Sequence, residues 1–300
     1  MKTRLSIKRV KFGGLAAVEV RTAELRLVTI IAKGPRIAVW GRPEGPNLLM
    51  WEPGRYFRGA WELMGGHRLW ISRPGADEAE ETYAADNRPC TAELHRDGFT
   101  VTAPVDPVLC TQRGFTVRVT AADRVELEHF VVNRSAMLWS GGLWAITSTL
   151  PLGGTSYIVP LGDGSAWDYA TVVAIRTWGH GQGAGTFNDP QFSFTDDAFC
   201  LHPGGRESKR MIKADPGIIG MHDPARNLLF VKKAAYQADA QYPLGTNVAL
   251  YIGKDNFMAE MESMGPFVTL KPGARLTHTE TWVLRDAHGM PTAAKLKALF

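Results

Sequence analysis

Glycine and proline constrain this chain more than any other feature. The sequence holds 31 glycines and 18 prolines in 300 residues, spread along its whole length. Breakers at that density leave little room for long helices. Between them lie short runs in which apolar and polar residues alternate, each closed by turn residues. Leu25 to Ile31 ends at Lys33-Gly34-Pro35, and Arg36 to Trp40 ends at Gly41-Arg42-Pro43. Phe99 to Ala103, Phe115 to Thr120, Val125 to Asn133, Leu228 to Lys232, Asn247 to Ile252, Phe257 to Glu262 and His278 to Leu284 follow the same style. Almost nothing recurs with helical periodicity, so we predict an all-β chain of antiparallel strands. One helix is expected, in the tail. Thr292 follows Pro291 as an N-cap, and Ala293 to Phe300 is rich in Ala, Leu and Lys. At ~150 residues per domain the length suggests two domains. No linker or change of composition marks a boundary, so we expect one β domain over residues 1–286 and a helical tail over 287–300.

Composition narrows the function classes. Apolar residues make up 45% and charged residues 21%, which is globular and not disordered. The net charge is only +4 and no dense basic run occurs, which argues against a dedicated nucleic-acid or membrane-surface binder. The first 25 residues are basic but lack an apolar segment, and no stretch of ~20 apolar residues follows. Three cysteines without CxxC spacing fit a reducing compartment, so a cytoplasmic protein is expected. The eight histidines show neither HExxH nor a close pair on one face, so neither a metal nor another cofactor is expected. There is no GxSxG elbow for a serine nucleophile. The Gly-rich segment Thr177 to Pro190 reads as a long loop, with His180 as a lid candidate, and it lacks the GxxxxGK[ST] phosphate cradle.

Several segments together resemble a known group. VKFGGLAAVEV and ELRLVTIIAKGPRIAVWG come first, followed by WELMGGHRLWISRPG at Trp61 to Gly75 and TYAADNRP at Thr82 to Pro89. VELEHFVVNRS then leads into GGLWAITSTLPLGG, and FMAEMESMGPFVTLKPG stands late in the chain. This order is similar to the galactose-mutarotase-like (aldose 1-epimerase-like) superfamily, in a bacterial branch of it. The likeness spans about Lys11 to Leu284; GGHRLW and the E-x-E-S-x-G-P…L-x-P-G block are its most specific pieces. The resemblance implies a β-supersandwich whose concave face carries a sugar site. It also implies a glutamate base and a histidine acid that open and reclose a pyranose ring.

Taken as a strand, Phe257 to Met264 places Met258, Glu260, Glu262 and Met264 on one face. Two glutamates there form a solvated face or the wall of a site. By resemblance Glu262 is the base, with Glu260 second. In Gly65-Gly66-His67-Arg68, the glycines allow close approach to a ligand, and Arg68 offers a fork of donors to sugar oxygens or a carboxylate. A turn with Arg68 in a structural ion pair is the alternative. His129 shares a face with Val125, Leu127 and Val131, as a hydrogen-bonded core residue or a proton donor. The family's His-x-Tyr-Phe motif is absent: Leu143-Trp144-Ala145-Ile146-Thr147 stands there without a histidine. His67 or His129 would have to replace the acid, unless the chemistry differs. Trp144 stacks on a sugar or fills the core. Lys213 could meet an acidic sugar group, and Tyr83 and Asn87 belong to a polar turn that could reach the cleft. Tyr236, Tyr242 and Trp282 are platform candidates, and His278 with Glu280 reads as a half-exposed edge.

The expected function is carbohydrate chemistry of the aldose 1-epimerase or mutarotase type on a free sugar or sugar acid. A glycoside hydrolase or lyase on the same scaffold, or a non-catalytic carbohydrate-binding protein, are the alternatives. The expected partner is a small carbohydrate, with no nucleic acid and no membrane, and the chain would be a monomer or homodimer.

Overall fold

A computed structural model describes residues 5–72, 84–163, 169–177 and 185–300. Their secondary structure is almost entirely β, in two large antiparallel sheets. The first sheet runs edge to edge through Ser6–Phe12, Leu15–Arg21, Arg26–Ile30, Arg36–Gly41, Trp61–Ser72, Trp139–Thr149, Ala259–Met264, Val248–Ile252, Ser208–Ile212 and Val172–Ile175. The second runs through Phe192–Phe194, Ala198–Leu201, Ser156–Pro160, Ile218–Asp223, Leu228–Ala234, Arg275–Asp286, Arg124–Asn133, Thr111–Ala121, Gly98–Val105 and Thr91–Leu94. Alternation makes each sheet apolar on the face turned toward the other. Val18, Leu27, Ile37 and Trp40 from the first sheet meet Phe99, Phe115, Phe230 and Trp282 from the second in one buried core. The Trp40 and Trp282 rings lie 5.3 Å apart, edge to face.

Arg275–Asp286 lies inside the second sheet, paired with Leu228–Ala234 on one side and Arg124–Asn133 on the other. The half-exposed edge expected at His278 and Glu280 is therefore corrected. Glu280 and Trp282 are wholly buried and His278 nearly so. The helix covers Ala293–Lys297, shorter than expected, with the Thr292 hydroxyl accepting from the Lys295 amide. Its Leu296 packs with Ile158, Ile218 and Leu229 of the second sheet.

Polar residues also cross the core. The Lys232 ammonium lies 2.6 Å from Glu280 and donates to Thr147 Oγ1 at 3.0 Å. His129 Nδ1 donates to the His278 carbonyl at 2.9 Å, which leaves its Nε2 as an acceptor. His67 Nε2 therefore donates to it at 2.7 Å, and His67 Nδ1 accepts from Thr147 at 2.9 Å. Both rings are neutral in this chain of bonds. Burial holds His67 well below its ordinary pKa and lowers His129 also. Burial pushes His278 down to about 3. For Glu280, burial acts upward, but Lys232 and the other neighbours together outweigh it and hold the carboxyl well below its ordinary value.

His67, His129 and Glu280 bring ligand atoms within 4.8 Å of one another, a spacing that could hold a metal ion. The donor set does not fit one, because hydrogen bonds already use both imidazoles and the Lys232 ammonium occupies the cation's place beside Glu280.

Candidate functional site

The outer face of the first sheet carries a second cluster of charged groups. Register decides which residues share it. Ile146 lies opposite both Arg68 and Glu262, Ser148 opposite both Gly66 and Glu260, and Trp144 opposite both Trp70 and Met264. Across the next ladders Tyr251 pairs with Glu260 and Lys209 with Tyr251. With a side-chain period of two, Arg68, Trp70, Trp144, Ser148, Lys209, Tyr251, Glu260 and Glu262 all point to this face. The two glutamates share it as their spacing in the sequence suggested.

Glu262 is wholly buried there. Its Oε2 accepts from Trp144 Nε1 at 2.7 Å and from Lys209 Nζ at 2.8 Å. Its Oε1 is buried with no hydrogen-bond partner. Burial raises the Glu262 pKa; Lys209 opposes that rise and the Glu260 charge reinforces it. Glu260 Oε1 accepts from Arg68 Nη2 at 3.0 Å and from Ser148 Oγ at 3.1 Å. Each carboxylate thus has its own cation. Each cation lies against an indole: Arg68 is 4.6 Å from the Trp70 ring and Lys209 is 4.5 Å from the Trp144 ring. Trp61, Trp70 and Trp144 continue as an aromatic row, with centroids 5.7 and 5.6 Å apart. Tyr251 donates to Glu207 at 2.9 Å beside Glu260, and burial raises its pKa.

Arg68, Trp144, Glu260 and Glu262 therefore meet in one place. His67 and His129 do not join them, which corrects the expectation that one of them supplies the acid. His67 is the chain neighbour of Arg68, and neighbours on a strand point to opposite faces. It enters the core, where its ring stands edge-on to Trp282 at 4.9 Å. His129 belongs to the other sheet and meets His67 there. The reading of Gly65 and Gly66 also changes. Both have positive φ, 83° and 71°, and a Cβ on Gly66 would sit 2.2 Å from the Ile37 carbonyl. Their missing side chains admit neighbouring backbone and not a ligand.

Asn87 lies in the short 3-10 turn Ala84–Asn87, where it donates to the Glu62 carbonyl at 3.3 Å and accepts from Arg36 at 3.3 Å. It braces a turn whose Asp86 accepts from the Trp70 indole. Lys213 lies beyond Lys209 in a separate cavity, paired with Asp215 at 3.0 Å. Tyr83 and His180 fall outside the described residues. Lys209, Tyr251 and Ser148 were missed from sequence. The alternation Lys209, Met211, Lys213 in ESKRMIKAD was the available signal, since it puts Lys209 on the face of Lys213.

Solved structures cover the same architecture. A candidate aldose 1-epimerase from Escherichia coli K12 superposes with TM-score 0.63 at 12% identity, covering 94% of this chain and 100% of its own. A galactose mutarotase-like protein from Clostridium acetobutylicum gives 0.57 at 10% identity, over 95% and 99% of the two chains. Another from Lactobacillus casei ATCC 334 gives 0.57 at 9%, over 93% and 100%. The fold is galactose mutarotase-like. At such identities the likeness is one of fold alone. No protein-family model and no curated protein matches the chain. Among the described residues, no helix is long and apolar enough to cross a membrane.

Proposed function

We propose that the outer face around Glu262 is a sugar site and that the protein interconverts the anomers of a free sugar or sugar acid. The observation that carries this reading is the asymmetry of one carboxylate. Lys209 and Trp144 hold Glu262 Oε2, while buried Oε1 has no donor and a raised proton affinity. Such an oxygen is suited to take a proton from an incoming hydroxyl.

In the reaction, Oε1 takes the proton of the anomeric hydroxyl and that oxygen becomes a carbonyl. The bond from the anomeric carbon to the ring oxygen breaks, and the ring oxygen takes a proton from the Lys209 ammonium. Rotation about the adjacent carbon–carbon bond and the reverse transfers close the other anomer. The two oxygens are bonded to the same carbon, so base and acid need be only a few ångströms apart. Lys209, at 2.8 Å from Glu262, meets that requirement. Arg68, held on Glu260, offers guanidinium donors to the other hydroxyls. Because Glu262 is buried, Lys209 and Trp144 must shift to admit a sugar.

The test is anomer exchange by NMR with glucose, galactose, mannose, glucuronate and galacturonate. Acceleration above the buffer rate is expected for at least one sugar, and Glu262→Gln should lose roughly 100-fold or more. No acceleration across the set, or full activity in Glu262→Gln, defeats the proposal. Saturable binding without exchange would leave a carbohydrate-binding protein.

A further inference from the structure

We infer that the protein has a second, independent binding site in a cavity walled by Tyr169, Tyr236, Tyr242 and Phe267, and that it takes a neutral pyranose unit. This does not depend on catalysis at Glu262. The cavity holds about 530 Å³. That falls within the ~300–1,000 Å³ of ordinary ligand sites. It is a separate position. Lys209 and Trp144, which hold Glu262, do not line it. Met211 stands between Lys209 and Lys213 along the chain and is buried with Ala249 and Met264 against Trp144.

Hydrogen bonds fix the segments that build the wall. The connection between Leu228–Ala234 and Val248–Ile252 brings Tyr236, Gln241 and Tyr242. Within it the Tyr242 hydroxyl accepts from the Gln237 amide at 3.0 Å, and the Tyr242 carbonyl accepts from the Gly245 amide at 3.0 Å. Phe267 follows Ala259–Met264, and its amide donates to the Gln241 carbonyl at 2.7 Å. Lys213 follows Ser208–Ile212, and its amide donates to the Thr171 carbonyl at 2.8 Å. Tyr242 is buried and stacks on half-buried Tyr236, with centroids 5.1 Å apart and planes 29° apart, which braces Tyr236 as a platform. A wall tied at these points is preformed, so little ordering cost opposes binding.

Charge excludes two classes of ligand. Asp215 pairs with Lys213 at 3.0 Å, and Asp239 is a second carboxylate near Tyr236. No surplus positive charge therefore awaits a carboxylate or phosphate. The Lys213 ammonium lies 4.3 Å from the Tyr169 ring centroid and 5.9 Å from that of Tyr236, so the place a ligand cation would take is already filled. What remains is aromatic surface beside the Gln241 carboxamide, which both donates and accepts. A pyranose suits that combination, because one face of its ring is C–H surface and its edge carries hydroxyls.

The experiment is fluorine NMR on the full chain with its seven tyrosines replaced by 3-fluorotyrosine. Tyr236→Phe and Tyr251→Phe assign the two signals that matter, since Tyr236 lines the cavity and Tyr251 stands beside Glu260. Glucose, galactose, mannose, xylose, maltotriose and cellotriose are titrated in turn, with inorganic phosphate and tetramethylammonium as charged probes. At least one sugar should move the Tyr236 signal along a saturating curve, and neither charged probe should. Tyr236→Ala should weaken that sugar roughly 10-fold, read from the Tyr242 signal, and Tyr236→Phe should hold it within roughly threefold. No movement of Tyr236 by any sugar overturns the inference, as does movement by phosphate or tetramethylammonium alone. Shifts confined to Tyr251, together with anomer exchange, overturn this inference and leave the epimerase reading intact. Saturable shifts of Tyr236 without anomer exchange support this inference and defeat that reading.

Discussion

Lys232→Met cuts a fully buried ion pair between two neighbouring strands of the second sheet. Lys232 and Glu280 are both essentially inaccessible, and the ammonium also donates to Thr147 and to the Met261 carbonyl at 3.0 Å. Methionine has a similar length, so the cavity left is small and the loss is electrostatic. Glu280 keeps donors from Ser263 and Trp282 but loses its counter-ion. Removing one partner of a buried pair costs about 3–5 kcal/mol, a large share of the ~5–15 kcal/mol that stabilises a typical protein. The pH dependence follows from linkage. Glu280 has a depressed pKa, so in the wild type its contribution is complete above the unfolded carboxylate value and fades as pH falls through the native one. In Lys232→Met the counter-ion no longer opposes burial, and the carboxyl pKa rises. The deficit is therefore largest near neutrality and shrinks as Glu280 takes up a proton at acid pH. Urea unfolding followed by tryptophan fluorescence at about pH 7.5 and pH 5 measures it. Adding Glu280→Leu should recover most of the loss, because no charge is then left buried. A loss under about 1 kcal/mol, or an equal loss at both pH values, refutes the reasoning.

Three further outcomes are expected. Gly66→Ala should destabilise the fold by about 2 kcal/mol or more, from its left-handed backbone and its contact with the Ile37 carbonyl, as thermal and urea unfolding would report. His129→Phe leaves a buried His67 N–H without its acceptor, so it should cost about 1–3 kcal/mol while the pH profile of anomer exchange keeps its shape. A changed profile would return His129 to the chemistry. The exchange rate should rise with pH as Glu262 loses its proton, with a midpoint above that of an ordinary carboxylate. A midpoint at or below the ordinary value would count against burial as the controlling term.

The strands were legible because alternation needs only neighbours. Arg124–Asn133, Val248–Ile252 and Leu228–Ala234 lie within a residue or two of where the sequence put them. The shared face of Glu260 and Glu262 was legible for the same reason. What alternation cannot say is which face looks at which sheet. His129 on an apolar face could line a cleft or a core, and only the stacking of the two sheets decides it. His67 and Arg68 were both candidates because the paired glycines read as room for a ligand. They sit inside a strand, so the two side chains part to opposite faces. Lys209 was hidden because its importance depends on a ladder with Tyr251 and Glu260, which lie more than 40 residues away along the chain.

The central claim is that Glu262 faces the anomeric centre. A crystal structure of Glu262→Gln with its tightest-binding sugar tests it most directly. The account predicts the anomeric oxygen within hydrogen-bond distance of the side-chain atom replacing Oε1, the ring oxygen toward Lys209, and the ring against Trp144. A sugar held elsewhere, or one whose anomeric carbon points away from residue 262, contradicts it.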